Sequence, residues 1–82
     1  MGIDVYGADW CGDCTRAKML LDRHGVTYNW IDTDADEDAR AKAIEISGLQ
    51  KIPVIVFPSG EFLSEPSNPQ IEEQLKANGL LD

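Results

Sequence analysis

Cys11 and Cys14 are the only cysteines in the 82-residue chain, and two residues separate them. A thiolate attacks disulfides and a thiol does not, so a reactive pair needs negative charge favoured on one sulfur and a second thiol within reach. A helix opening at Gly12 would supply both. Its unpaired first N–H groups favour an anion on Cys11, and Cys14 follows one turn later, close enough to bond Cys11 and covered by packing. Cys11 is expected to attack and Cys14 to resolve. Asp9 and Asp13 place negative charge beside that sulfur and oppose the helix start.

Other uses of these residues fit less well. A structural bridge closing so short a loop removes little chain entropy. A structural zinc site needs four ligands, and beyond the cysteines only His24 is on offer, on an apolar stripe that suggests ordinary packing. Asp32, Asp34 and Asp36 alternate like the start of a calcium loop. Glu37 then stands where such a loop needs glycine and Ala43 where it needs glutamate, so the stretch reads as a solvated, acidic helix start.

The elements that must position the cysteines follow from periodicity. Ile3-Asp4-Val5-Tyr6 alternates as a short strand before Gly7. From Gly12 to His24 a helical stripe of Cys14, Ala17, Leu20, Leu21 and His24 ends at Gly25. Val26 to Asp32 is a second strand, parallel to the first because a helix intervenes. Asp34 is the expected cap of a second helix with the stripe Ala35, Ala39, Ala43 and Ile46 before Gly48. Pro53 to Phe57 lacks polar alternation and belongs at the sheet centre, and a turn at Pro58 to Glu61 returns Phe62-Leu63 antiparallel to it. Asn68 and Pro69 are expected as cap and first position of a last helix carrying Ile71 and Leu75 and ending at Gly79. The order is βαβαββα in a single domain, 1–82.

Fifteen acidic against seven basic residues give a net charge of -8, which opposes phosphate-backbone binding, so no nucleic-acid partner is expected. No apolar run approaches the ~20 residues that cross a bilayer, and nothing at the N-terminus reads as a signal peptide. A cytoplasmic location with no membrane association is the expectation. Trp10 could flank a substrate groove, as could Tyr6, although packing accounts for either equally well. Lys51 is the one cation expected near a substrate carboxylate. Arg16 and Lys18 read as exposed helix charges.

Trp10-Cys11-Gly12-Asp13-Cys14, Ile52-Pro53 opening a buried strand, the Gly60 hairpin and the last helix resemble the glutaredoxins over nearly the whole chain. The resemblance implies a thioredoxin fold of glutaredoxin size: α/β, a four-stranded mixed sheet with three helices. It also implies a cis peptide at Ile52-Pro53, with Ile52 offering backbone groups to substrate. Substrate contacts are then expected from Trp10, Gly12, Asp13, Lys51, Ile52 and Pro53. Glutathione-using members carry a basic residue upstream of the first cysteine and Gly-Gly-x-Asp before the last helix. Here those places hold Asp9 and Ser64-Glu65-Pro66-Ser67, charges that repel a dianionic thiol. The Glu65-Pro66-Ser67 stretch is similar to the mycoredoxins, implying a mycothiol-like low-molecular-weight thiol as co-substrate and no bound cofactor. The other partners implied are disulfide-bearing protein clients and a reductase system, with the chain a monomer. Two further readings are a general dithiol reductase served by thioredoxin reductase and a dimer holding an iron-sulfur cluster.

Overall fold

The structure, a computed structural model, describes residues 2–81. In chain order it holds β1 (Ile3–Gly7), α1 (Gly12–Arg23), β2 (Tyr28–Asp32), α2 (Glu37–Ser47), β3 (Val54–Val56), β4 (Phe62–Ser64) and α3 (Asn68–Ala77). The sheet runs β2-β1-β3-β4, with β1 and β2 parallel and the other two pairs antiparallel. Ile3 faces Tyr28 and Gly7 faces Asp32 across the first pair, while Val5 faces Ile55 across the second. The βαβαββα order and the mixed sheet expected of a thioredoxin-type fold are both present.

The two faces are packed unequally. Ile3, Val5, Ile55 and Phe57 meet Ala17, Leu20 and Leu21 of α1 and Ile71 and Leu75 of α3. Full burial of each large apolar side chain contributes about 1.5–3 kcal/mol, so this layer is the foundation of the fold. On the other face Tyr6 and Val54 meet Ala43 of α2, with Ile31, Ile46 and Val56 at the margin. Tyr6 therefore packs, and burial, followed by the charge of Asp4, raises its phenol pKa. Val54 and Ile55 are both fully buried, as a strand covered on two faces requires.

Both later helix starts differ from the sequence expectation. Asp36, not Asp34, caps α2, its carboxylate accepting the N–H groups of Asp38 (2.9 Å) and Ala39 (3.4 Å). Asp32 accepts from the Asp34 and Ala35 N–H groups at 2.8 and 3.2 Å, which turns the chain before the helix and leaves Ala35 exposed, off the apolar stripe. Ser67, not Asn68, caps α3 in a capping box. Its hydroxyl accepts the Gln70 N–H at 3.4 Å and the Gln70 side chain accepts the Ser67 N–H at 2.8 Å. Asn68 is unavailable as a cap because its Oδ1 accepts from Arg16 Nη1 at 2.9 Å. His24, at the end of α1, does more than pack: its Nε2 lies 3.0 Å from Glu72 Oε2 on α3.

Candidate active site

Cys11 is the N-cap of α1, extended at φ -83° and ψ 114°, and 8% exposed. Its Sγ accepts the backbone N–H of Cys14 at 3.3 Å, a cap made by sulfur in place of the usual oxygen. The Thr15 amide and hydroxyl both donate to the Cys11 carbonyl, at 3.1 and 3.2 Å, and the Cys11 amide donates to Ala8 at 3.1 Å. The sulfur is thus held where an amide and the helix start can stabilise charge that develops on it. Gly12 and Asp13 open the first turn, both exposed. The Asp13 carboxylate is drawn to Arg16, 3.4 Å away.

Cys14 lies at 0% exposure, and both cysteines are free thiols. Burial first, and then the hydrogen bond with Cys11, pushes the Cys14 thiol up to about 12. The reason it is so well covered is Gly7. A Cβ there would stand 2.6 Å from Cys14 Sγ and 2.8 Å from Cη2 of Trp30, so the sulfur and the indole occupy the space a side chain would take. The Gly7 carbonyl is itself tied down by the amide and hydroxyl of the buried Thr33, at 2.9 and 3.2 Å.

The opposite wall is the loop before β3. The Ile52-Pro53 bond is cis, as the resemblance implied, and the Ile52 carbonyl lies 3.9 Å from Cys11 Sγ, near enough for a weak S–H contact. Among the described residues neither backbone polar group of Ile52 takes a backbone partner, leaving an edge on which an extended segment can form hydrogen bonds. The Pro53 carbonyl accepts the Glu65 amide at 2.9 Å, and Glu65 sits at φ +49°, a conformation that non-glycine residues seldom adopt. Lys51 is not a free cation: its Nζ lies 3.5 Å from Glu65 Oε1.

Trp10 is 72% exposed and donates its indole N–H to Asp34, so it lines a rim and does not serve the core. Together with Thr33, Asp34, Arg40, Ala43, Ile44, Gln50, Lys51 and Ile52 it walls a groove of about 160 Å³ beside Cys11. Arg40 is a cation that sequence reasoning missed, hidden because nothing local ties α2 to the cysteines. A larger cleft, about 490 Å³, lies at the other end of the sheet between Ile3, Tyr28 and Pro58 and contains neither cysteine. Arg16 and Lys18 are not idle helix charges. Arg16 donates to Asn68 and, at 3.0 Å, to the Pro66 carbonyl, joining α1 to the start of α3. Lys18 places its Nζ 3.8 Å from the centre of the Trp30 ring.

A capped, helix-opening cysteine, a buried partner one turn on and an adjacent cis-proline edge define a dithiol site on a thioredoxin-like fold. The Glutaredoxin family profile matches residues 3–63. A protein named as a glutaredoxin in Mycobacterium tuberculosis is 26% identical over 74 residues, covering 89% of this chain and 88% of its own. The crystal structure of a glutaredoxin from Archaeoglobus fulgidus superposes with a TM-score of 0.82 at 26% identity, over 93% of this chain and 88% of that one. The solution structure of a Brucella melitensis glutaredoxin does so at 0.75 and 32% identity, over 99% and 88%. The chain belongs to the glutaredoxin family of thiol–disulfide oxidoreductases. No helix among the described residues is long and apolar enough to cross a membrane.

Proposed function

We propose that this chain reduces mixed disulfides between proteins and a mycothiol-like small thiol, with Cys11 as nucleophile and Cys14 as resolving thiol. The observation that carries the reading is the position of Cys11 Sγ, between the Cys14 amide at 3.3 Å and the Ile52 carbonyl at 3.9 Å. Cys11 attacks the small thiol's sulfur and the client protein leaves as a thiol. The Cys11–small-thiol disulfide is then resolved by a second small thiol or by Cys14, and in the latter case a reductase system must reduce the pair. Trp10, Gly12, Asp13 and Lys51 flank the bound thiol, and Ile52 and Pro53 form the edge it lies along.

The electrostatics of the rim support a thiol less anionic than glutathione. Lys51 is paired with Glu65, Asp9 is exposed just before Trp10, and glutathione brings two carboxylates to that neighbourhood. The test offers one reporter protein as mixed disulfides with glutathione, mycothiol, bacillithiol and coenzyme A and follows thiol release. Mycothiol is expected to be released fastest, and faster release of glutathione overturns the co-substrate. Cys11→Ser is expected to abolish release from every reporter, while Cys14→Ser keeps a monothiol route. Full activity in Cys11→Ser overturns the nucleophile.

A further inference from the structure

Trp30 has no part in the exchange steps above, yet it is the residue of β2 that reaches Cys14. Its Cη2 and the Cys14 sulfur both lie within 3 Å of the point where a Gly7 Cβ would stand, at 2.8 and 2.6 Å. Lys18, which follows Cys14 by one turn of α1, places its Nζ 3.8 Å from the centre of that ring. The indole and the sulfur therefore crowd the same space above Gly7, and Cys14 has no exposed surface. We propose that Trp30, held by Lys18, is a positioning residue that keeps water from Cys14 and thereby sets how readily Cys14 displaces a small thiol from Cys11. The inference rests on Cys14 being the resolving thiol.

In that step Cys14 loses its proton to solvent, and its sulfur bonds to Cys11 while the bond from Cys11 to the small thiol breaks. The small thiol leaves with the electron pair and takes up a proton. The two cysteines are oxidised and the small thiol is reduced, with no other reactant. The barrier includes ionising a thiol inside a dry pocket, where burial disfavours the anion. The groups facing the sulfur are Cys11 and Asp13 on its own turn, the Ala8 backbone, Gly7 from β1 and Trp30 from β2, while Lys18 lies over the indole ring. Asp13 opposes ionisation, so a retreat of the indole lets water do what no neighbouring cation does at the sulfur. A tight cover favours resolution by a second small thiol, and a loose one favours the intramolecular disulfide.

The experiment follows alkylation of Cys14 by iodoacetamide against pH in the full chain carrying Cys11→Ser, so its result is independent of which small thiol is the co-substrate. Adding Trp30→Ala is expected to raise the rate at neutral pH by several-fold, and at most about tenfold, for each unit by which the midpoint falls. Trp30→Phe should stay near the parent. Displacement of a small thiol preloaded on Cys11 in the otherwise native chain should rise by about three- to fourfold per unit, because a more acidic thiol is less nucleophilic. Lys18→Ala, which removes a half-buried side chain that lies over the indole and leaves the core cluster intact, should move both readouts the same way by less, and it decides the matter if Trp30→Ala does not fold by circular dichroism. An unchanged rate and midpoint in Lys18→Ala overturns the inference. So does faster alkylation at an unchanged midpoint, which is mere loosening of the fold.

Discussion

On the α2 side of the cysteine end, the wall beside Cys11 is a groove rimmed by side chains that face solvent: Trp10 at 72% exposure, Asp34, Arg40 and Lys51. On the α1 and α3 side, Cys14 meets a glycine and an indole and has no surface at all. The two sulfurs belong to one helical turn, so the helix alone cannot explain why one environment is wet and the other dry. The difference comes from the sheet. Residues alternate between its faces, so Gly7 shares a face with Ile3 and Val5 and turns toward α1, whereas Tyr6 and Val54 turn toward α2. The α1 face carries large apolar groups and closes over Cys14. Against the other face α2 fully buries only the small side chains of Ala39 and Ala43, which leaves room at its end for the groove.

The largest expected effect comes from breaking the dry wall at its narrowest point. Gly7→Ala would put a methyl group 2.6 Å from Cys14 Sγ and within 3.0 Å of two ring carbons of Trp30, in a strand whose backbone is paired on both sides. Overpacking of this kind costs about 1 to 3 kcal/mol. Urea denaturation should show that loss of stability, with a changed Trp30 emission reporting the displaced indole. A variant as stable as the parent would mean that the contact at Gly7 is not a constraint on the fold.

How much of this could be read in the sequence divides along the same line. The element order, the buried central strand and the cysteine pair follow from periods of two and 3.6 and from the spacing of two residues, which are local signals. The helix caps are not legible locally, because Asp32, Asp34 and Asp36 are equally good oxygen acceptors in sequence. Only the turn made by Asp32 and the reach of Arg16 to Asn68, 52 residues away, decide which residue caps. Ser67 and Gln70 did carry a readable capping-box signal. The cover on Cys14 had none, since Gly7, Trp30 and Lys18 are brought together by strand register and by a helix face. Lys51 was legible as a cation near the site, but its pairing with Glu65 depends on a left-handed turn at a residue that sequence rules assign to extended backbone.

A second, smaller effect sharpens the comparison through pH. Burial raises the Cys14 thiol from the ordinary 9.0 to about 12, so the folded state holds that proton after the unfolded chain has released it. The stabilisation is complete below about pH 9 and is lost as pH rises toward 12, with a slope of at most about 1.4 kcal/mol per pH unit for one thiol. Cys14→Ala should therefore flatten the alkaline decline between pH 9 and 11 in denaturation curves. A decline as steep in the variant as in the parent would assign it to other groups, the buried phenol of Tyr6 first among them.

The smallest effect on stability is expected on the wet wall, at Glu65→Gln. Lys51 Nζ and Glu65 Oε1 are 3.5 Å apart with side chains 60% and 41% exposed, and water and side-chain entropy reduce such a pair to about 0–1 kcal/mol. Glutamine keeps the length of the side chain and adopts the same left-handed backbone, so the fold should barely register the change. The charge at the rim does change: one anion is gone and the Lys51 ammonium is released toward the groove. At about 6 Å a unit charge is worth about 0.7 kcal/mol even at water-like screening, or about threefold in rate. The variant should therefore release glutathione from a glutathionylated reporter about threefold faster than the parent, with the gain shrinking as salt is raised, while an uncharged small thiol is released at the parental rate. An equal gain for both thiols would place the effect on Cys11 itself, and no gain for either would move discrimination between thiols from Glu65 to Asp9 or to the Arg40 side of the groove.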